Sequence, residues 1–192
     1  STHVPVVGGP EYLYLATFDV SDNTWNYVQV RGARYITDIL YVDGYFYLVP
    51  VGQGMEWVAN WIYRCLPEDL LNPAKWSKVI MPPWNPSALE VRLTYFKGYM
   101  YVLRTNKAYY YDLLRWNLTA DTFETLSSSI DDSTESYVIF PYIRSGEGHL
   151  LYSIPVSSTK TFYVYHSTDG VNFARILNEQ FIATTNNGEL HH

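Results

Sequence analysis

Two short stretches of this chain hold the residues best suited to recognising a ligand. Residues 50–61 read Pro-Val-Gly-Gln-Gly-Met-Glu-Trp-Val-Ala-Asn-Trp, and residues 81–86 read Met-Pro-Pro-Trp-Asn-Pro. Trp57 and Trp84 offer flat rings that can stack on the C–H faces of a pyranose, while Gln53, Glu56 and Asn85 supply planar polar groups for its hydroxyls. The competing use of both tryptophans is burial between packed sheets. Trp61 reads as the start of a buried strand. Arg34, Arg92 and Arg104 could each grip a carboxylate with two parallel hydrogen bonds. Ion pairs that tie strands together are the competing use of these arginines.

Catalytic signals are weaker. Hydrolysis by paired carboxylates needs two acids facing each other across a cleft. Asp38, Glu56, Glu90, Asp131, Asp132 and Glu135 are available, and no spacing among them selects a pair. Asp131-Asp132 lacks the Asp-x-Asp-x-Asp-Gly loop of a calcium site. His3, His149 and His166 show no ligand spacing, so no metal or other cofactor is expected. Cys65 is the only cysteine, which rules out an internal disulfide and a multi-cysteine zinc site; it reads as a small buried hydrophobe. Asn117-Leu118-Thr119 matches a glycosylation sequon.

Composition narrows the partners. The 192 residues carry 13 basic and 19 acidic side chains, a net charge of −6. Duplex nucleic acid, which needs many cations against its phosphates, is therefore excluded as an expected partner. No apolar run approaches the roughly 18 residues of a membrane span, so no membrane insertion is expected, and Ser1 opens no recognisable signal peptide. At 47% apolar and 17% charged, the sequence is that of a folded domain.

These residues must be positioned by strands. Apolar and aromatic residues come in alternating runs of four to eight, bounded by Gly, Pro, Asn, Asp and Ser. Tyr12–Phe18, Ile36–Val42, Tyr45–Val49, Leu89–Phe96, Tyr99–Leu103, Tyr137–Ile143, His149–Ile154 and Thr161–Tyr165 are examples, and only Pro67–Leu71 offers a helical turn. The 19 tyrosines suit such strands, because the ring covers a half-buried sheet while the hydroxyl reaches water.

Tight-turn signals recur at Asp43-Gly44, Lys97-Gly98, Glu147-Gly148 and Asn187-Gly188, each followed by apolar residues. Such pairs suit a type I′ turn, which needs positive φ at both central positions. A second landmark, an aromatic after a polar turn, recurs at Trp25, Trp76, Phe123 and Phe173, with separations of 51, 47 and 50 residues. Joining the C-terminus to the N-terminus gives a last interval of 44, so the pattern is periodic on a circle with about 48 residues per repeat. A solenoid has no need for its ends to complete one another; a ring does.

The residues around the second landmark carry a resemblance. Ser167-Thr168-Asp169-Gly170-Val171-Asn172-Phe173 resembles the Asp-box of sialidase-type (BNR) propellers, Ser-x-Asp-x-Gly-x-x-Trp, with one residue fewer between Asp and Gly and Phe in place of Trp. Residues 18–25, ending Asp22-Asn23-Thr24-Trp25, and residues 115–126, with Asp121-Thr122-Phe123, resemble the end of a kelch repeat, although the kelch Gly-Gly pair is absent. In those families the motif is a turn between outer strands: its Asp accepts backbone hydrogen bonds and its aromatic packs between sheets.

The fold expected is an all-β, four-bladed β-propeller of four-stranded antiparallel blades in a single domain spanning 1–192. Blade one is composite, with residues 11–30 and 181–192 pairing to remove an open edge, followed by blades at 35–81, 89–127 and 136–177. With no catalytic constellation, the leading expectation is a non-enzymatic binding module that recognises a surface glycan, outside the cell or on a virion or cell surface. Two other functions stay open: a structural or protein-interaction module with a protein partner, and a small sialidase-like glycoside hydrolase. The last would need three arginines, a Tyr–Glu pair and an acid.

Overall fold

The structure, a computed structural model, describes residues 13–30, 33–52, 61–83, 90–105, 111–129, 142–156 and 161–176. Strands dominate these residues, with two short 3-10 turns at Pro67–Asp69 and Pro73–Lys75. Among the described residues, fourteen strands form four antiparallel sheets. The first has two strands, β1 (Leu13–Asp19) and β2 (Thr24–Val30). The second contains β3 (Ala33–Val42), β4 (Tyr45–Gly52), β5 (Trp61–Cys65) and β6 (Ser77–Ile80) in chain order. The third contains β7 (Glu90–Phe96), β8 (Tyr99–Thr105), β9 (Tyr111–Asn117) and β10 (Thr122–Ser129). The fourth contains β11 (Tyr142–Gly146), β12 (His149–Val156), β13 (Thr161–Ser167) and β14 (Ala174–Arg175). Every strand therefore pairs with its neighbour in sequence, an up-and-down meander repeated along the chain.

The hairpins follow from local chemistry. Asp43-Gly44, Lys97-Gly98 and Glu147-Gly148 each hold positive φ at both positions, near 48° and then 82–84°. That mirror-image turn twists with the strands it joins, so each pair sets the register of its hairpin. Asn187-Gly188 and the expected strand at 181–192 lie outside the described residues, as does the N-terminal part of the run Tyr137–Ile143.

The chain divides into two compact units, Ser1–Met81 and Pro82–His192. In the first, Val30, Leu48, Cys65, Leu70 and Trp76 form a core, with Leu13, Leu15, Ile36, Phe46 and Tyr63 packed against it. One face of β1–β2, carrying Leu13, Leu15, Val28 and Val30, thus contributes to that core. In the second unit, Phe96, Tyr101, Leu103 and Leu113 of the third sheet meet Ile143, Leu150 and Tyr152 of the fourth. The two sheets are also pinned by Ser145, whose hydroxyl donates to the Tyr95 carbonyl at 2.6 Å and lies 3.1 Å from the Thr94 hydroxyl.

The landmark aromatics do not all pack alike. Trp76 is buried, donates its indole N–H to the Asp69 carbonyl at 3.1 Å and lies beside Tyr63. Phe123 is half-buried and stacks on Trp116, and Phe173 sits edge-on against Tyr152. Trp25 departs from the expectation: it is 60% exposed and packs against Phe18 on the outer face of its own two-stranded sheet. Register explains this, because Trp25 pairs with Phe18 and Tyr27 with Ala16, so both point away from Leu15 and Val28.

Candidate functional site

The second sheet fixes the strand ends that border part of the expected sugar platform. Ala33 pairs with Gly52, and Trp61 with Ile80. The start of β3, the end of β4, the start of β5 and the end of β6 therefore share one end, opposite the Asp43-Gly44 hairpin. Arg34 lies in the first turn of pairing on β3, between Ala33 and Tyr35, at a register shift that bends the strand. Gln53, Glu56 and Trp57 lie in the 53–60 connection between β4 and β5, outside the described residues. Trp84 and Asn85 lie in 84–89, also outside them; the chain leaves β6 toward them through Met81, Pro82 and Pro83. Trp61 begins β5, half-buried, with the Lys78 ammonium 4.5 Å above its ring.

The arginines have separate fates. Arg104 is 1% exposed and forms an ion pair with Asp112, directly opposite on β9, while its other guanidinium nitrogen donates to the Pro82 carbonyl at 2.8 Å. It is committed to the interior of its unit and is not a free fork for a ligand carboxylate. Arg92 is half-buried on β7, opposite Leu103. Among the candidate acids, Asp38 accepts the backbone N–H of Ile39 at 3.1 Å and Glu90 begins β7; Glu56, Asp131, Asp132 and Glu135 lie outside the described residues. No group of three or more metal-ligating side chains assembles among the described residues.

The turn after β13 is built around its carboxylate. Asp169 accepts the backbone N–H groups of Val171 and Asn172, each at 2.8 Å, the Asn172 side-chain amide at 2.7 Å and the Ser167 hydroxyl at 2.9 Å. Those donors, the Val171 N–H first, hold its carboxyl far below the ordinary aspartate range. Gly170 has φ +79°, and a Cβ there would stand 2.0 Å from the Tyr101 hydroxyl. The turn is thus a structural part that seats one sheet against the next, and its acid is spent on its own backbone. Asp19 does a smaller version of the same work, accepting from the hydroxyl and N–H of Ser21. Cys65 is buried in the first unit's core, and that burial pushes its thiol up to about 11.

The structure also joins two residues that spacing left apart. His149 opens β12 and His166 stands near the end of β13, and their rings meet with Nδ1 of the first 2.6 Å from Nε2 of the second. The signal that would have found them is register: Leu151 faces His166, which sets His149 on the same face, one diagonal step away.

Four antiparallel sheets in sequential meanders define an all-β, propeller-like protein. Comparison with solved structures agrees at the level of fold. Oligopeptidase B from Leishmania major, a protein with a β-propeller domain, superimposes over 86% of this chain and 23% of its own, with TM-score 0.50 and 11% identity. A Bacteroides ovatus structure described as xyloglucan PUL GH43B covers 90% of this chain and 40% of its own, with TM-score 0.46 and 13% identity. The chain spans less than half the length of either protein. No protein-family model matches the sequence, and no curated protein matches it.

Proposed function

We propose that this chain is a non-enzymatic recognition module for a surface glycan, working outside the cell or on a virion or cell surface. The sugar would bind at the end of the second sheet from which the 53–60 connection departs. One observation carries the reading: strand register brings the start of β3, the end of β4, the start of β5 and the end of β6 to a single end of one sheet. Trp57 and Trp84 are the proposed stacking rings, and Gln53, Glu56 and Asn85 the hydroxyl-binding groups. Arg34 and Arg92 are the proposed forks for an acidic sugar, each open to test by a single substitution to Gln. The fold part of the proposal is the closed four-bladed ring that the circular period predicts. It is supported by a first sheet with two described strands where the other three have four. The segment 181–192 would complete it.

The test is a broad glycan and polysaccharide array probed with wild type and with the Trp57→Ala/Trp84→Ala double variant. Selective binding by the wild type, lost in a variant with unchanged circular dichroism, is the expected result. A blank array for both proteins would overturn the glycan reading and leave a protein partner. Release of reducing ends from a bound glycan, abolished by removing one carboxylate, would replace recognition with hydrolysis.

A further inference from the structure

His149 and His166 are the only histidines among the described residues, and the fold sets them ring against ring. Their nitrogens are 2.6 Å apart and the ring centroids 4.9 Å apart, tilted by 32°. Neither belongs to the sugar site proposed above, and neither serves a core: His149 is exposed and His166 half-buried. That separation is hydrogen-bonding distance, with the donor and acceptor roles set by the tautomers of the two rings. A divalent transition metal could be held by the same two nitrogens once both rings turn so that their lone pairs converge to one side of the line that now joins them.

We propose that His149 Nδ1 and His166 Nε2 form a two-histidine site for a borderline-soft divalent cation of the zinc, copper or nickel class. Three features support it. The ligands are of the right kind, since imidazole nitrogen selects these metals over calcium and magnesium, which require oxygen. Both sit on adjacent strands whose pairing runs from Leu150–Ser167 to Val156–Thr161, so the ladder has already fixed the backbones. The nitrogens are also already neighbours: metal–nitrogen bonds of about 2.0–2.1 Å place two ligands of a tetrahedral ion about 3.3 Å apart. Reaching that value requires each ring to turn by about 35° from its present end-to-end contact, a rotation open to side chains at the exposed end of a sheet.

The location leaves room for the rest of the coordination shell. The pair stands at the end of the sheet, between the Glu147-Gly148 hairpin turn and the turn that begins at Thr168, both exposed. Water, or a carboxylate or imidazole from a partner, can fill the positions the protein leaves open. The surrounding charges are mixed. Glu147 is in the hairpin turn beside His149, Arg144 is on the same face opposite Leu151, and the Lys97 ammonium donates to the Thr168 carbonyl at 2.7 Å. With the Asp169 carboxylate in the turn that follows His166, two cations stand against two acids, so the surroundings neither repel nor strongly attract a divalent ion.

The experiment must separate this pair from His191-His192 at the C-terminus, a second adjacent histidine pair. The full chain, stripped with chelator, is titrated calorimetrically with zinc, and separately with nickel, at pH 7.5. Four proteins are compared: wild type, His149→Ala, His166→Ala and His191→Ala/His192→Ala. Zinc affinity should survive the terminal double substitution and fall about tenfold or more in either single variant, since losing even a supporting group of a metal site costs about 10–100-fold. Both ring positions lie outside the hydrophobic cores, and circular dichroism checks that each variant is folded. Broadening of the His149 and His166 imidazole resonances by a paramagnetic metal gives a second readout. Binding that disappears with His191 and His192, or a wild type that takes up no metal, would overturn the proposal.

Discussion

The first and second sheets each carry a tryptophan at the same place in the repeat, and the two have opposite fates. Trp76 is 9% exposed, with its N–H satisfied and its ring against Tyr63. Trp25 is 60% exposed, on a face shared with Tyr14, Phe18 and Tyr27. On that face Tyr14 meets Tyr27 edge-on and Phe18 lies tilted against Trp25, with no core residue among them. The comparison teaches that the landmark marks a turn and a strand, while its burial depends on what lies over that face of the sheet. Among the described residues, the two-stranded sheet has one face on the first unit's core and leaves Tyr14, Phe18, Trp25 and Tyr27 exposed on the other.

The largest expected effect breaks or confirms this contrast directly. Trp76→Ala should cost about 3–5 kcal/mol in urea unfolding, the range for removing a large buried aromatic. Trp25→Ala should cost about 0.5 kcal/mol or less, as an exposed substitution does. Equal costs would mean that a partner covers the aromatic face of β1–β2 in solution.

Next in size is Gly170→Ala. It combines a left-handed backbone with a collision against the buried Tyr101 ring, and should cost about 1–3 kcal/mol by equilibrium unfolding. A neutral result would show that the turn and its sheet are not seated on Tyr101. The smaller turn at Asp19 offers no such collision, so Asp19→Ala should be milder than Gly170→Ala.

Two titrations sharpen the same distinction between committed and free groups. Cys65 has a thiol raised to about 11, because burial disfavours the thiolate. Its folded value lies above the unfolded value of about 8.5, so its contribution is complete below that pH and is lost as pH rises toward 11. A thiol reagent at pH 8 should therefore label the native chain only as fast as it opens; rapid labelling would place Cys65 outside the core. Asp169 has the opposite sign. Its folded carboxyl lies below the unfolded value of about 3.9, so its contribution is present above that pH and is lost on acidification. Acid unfolding of Asp169→Asn should accordingly lose part of its steepness below pH 4. Because this carboxylate is fully exposed, that is the smallest of the effects.

Much of the fold was legible because its signals are local. Asp43-Gly44, Lys97-Gly98 and Glu147-Gly148 announce their hairpins through a backbone conformation few other residues accept, and alternation locates the strands they join. Asp169 was legible as a turn carboxylate for the same reason, since its donors lie within three residues. The candidate site was less legible. Arg104 looked like a candidate fork in sequence, yet it is consumed by Asp112 because register places the two directly opposite on neighbouring strands. His149 and His166 are separated by enough chain that no motif joins them.

The sequence by itself determined that this chain is all-β, where its hairpins turn and that its pattern repeats, because strand alternation and positive-φ turns are written in neighbouring residues. Packing between strands settled which equivalent aromatics are buried, that Arg104 is held by Asp112 and that His149 meets His166. Those outcomes depend on register between strands and on what covers each face of a sheet, and neither is a property of any local stretch of chain.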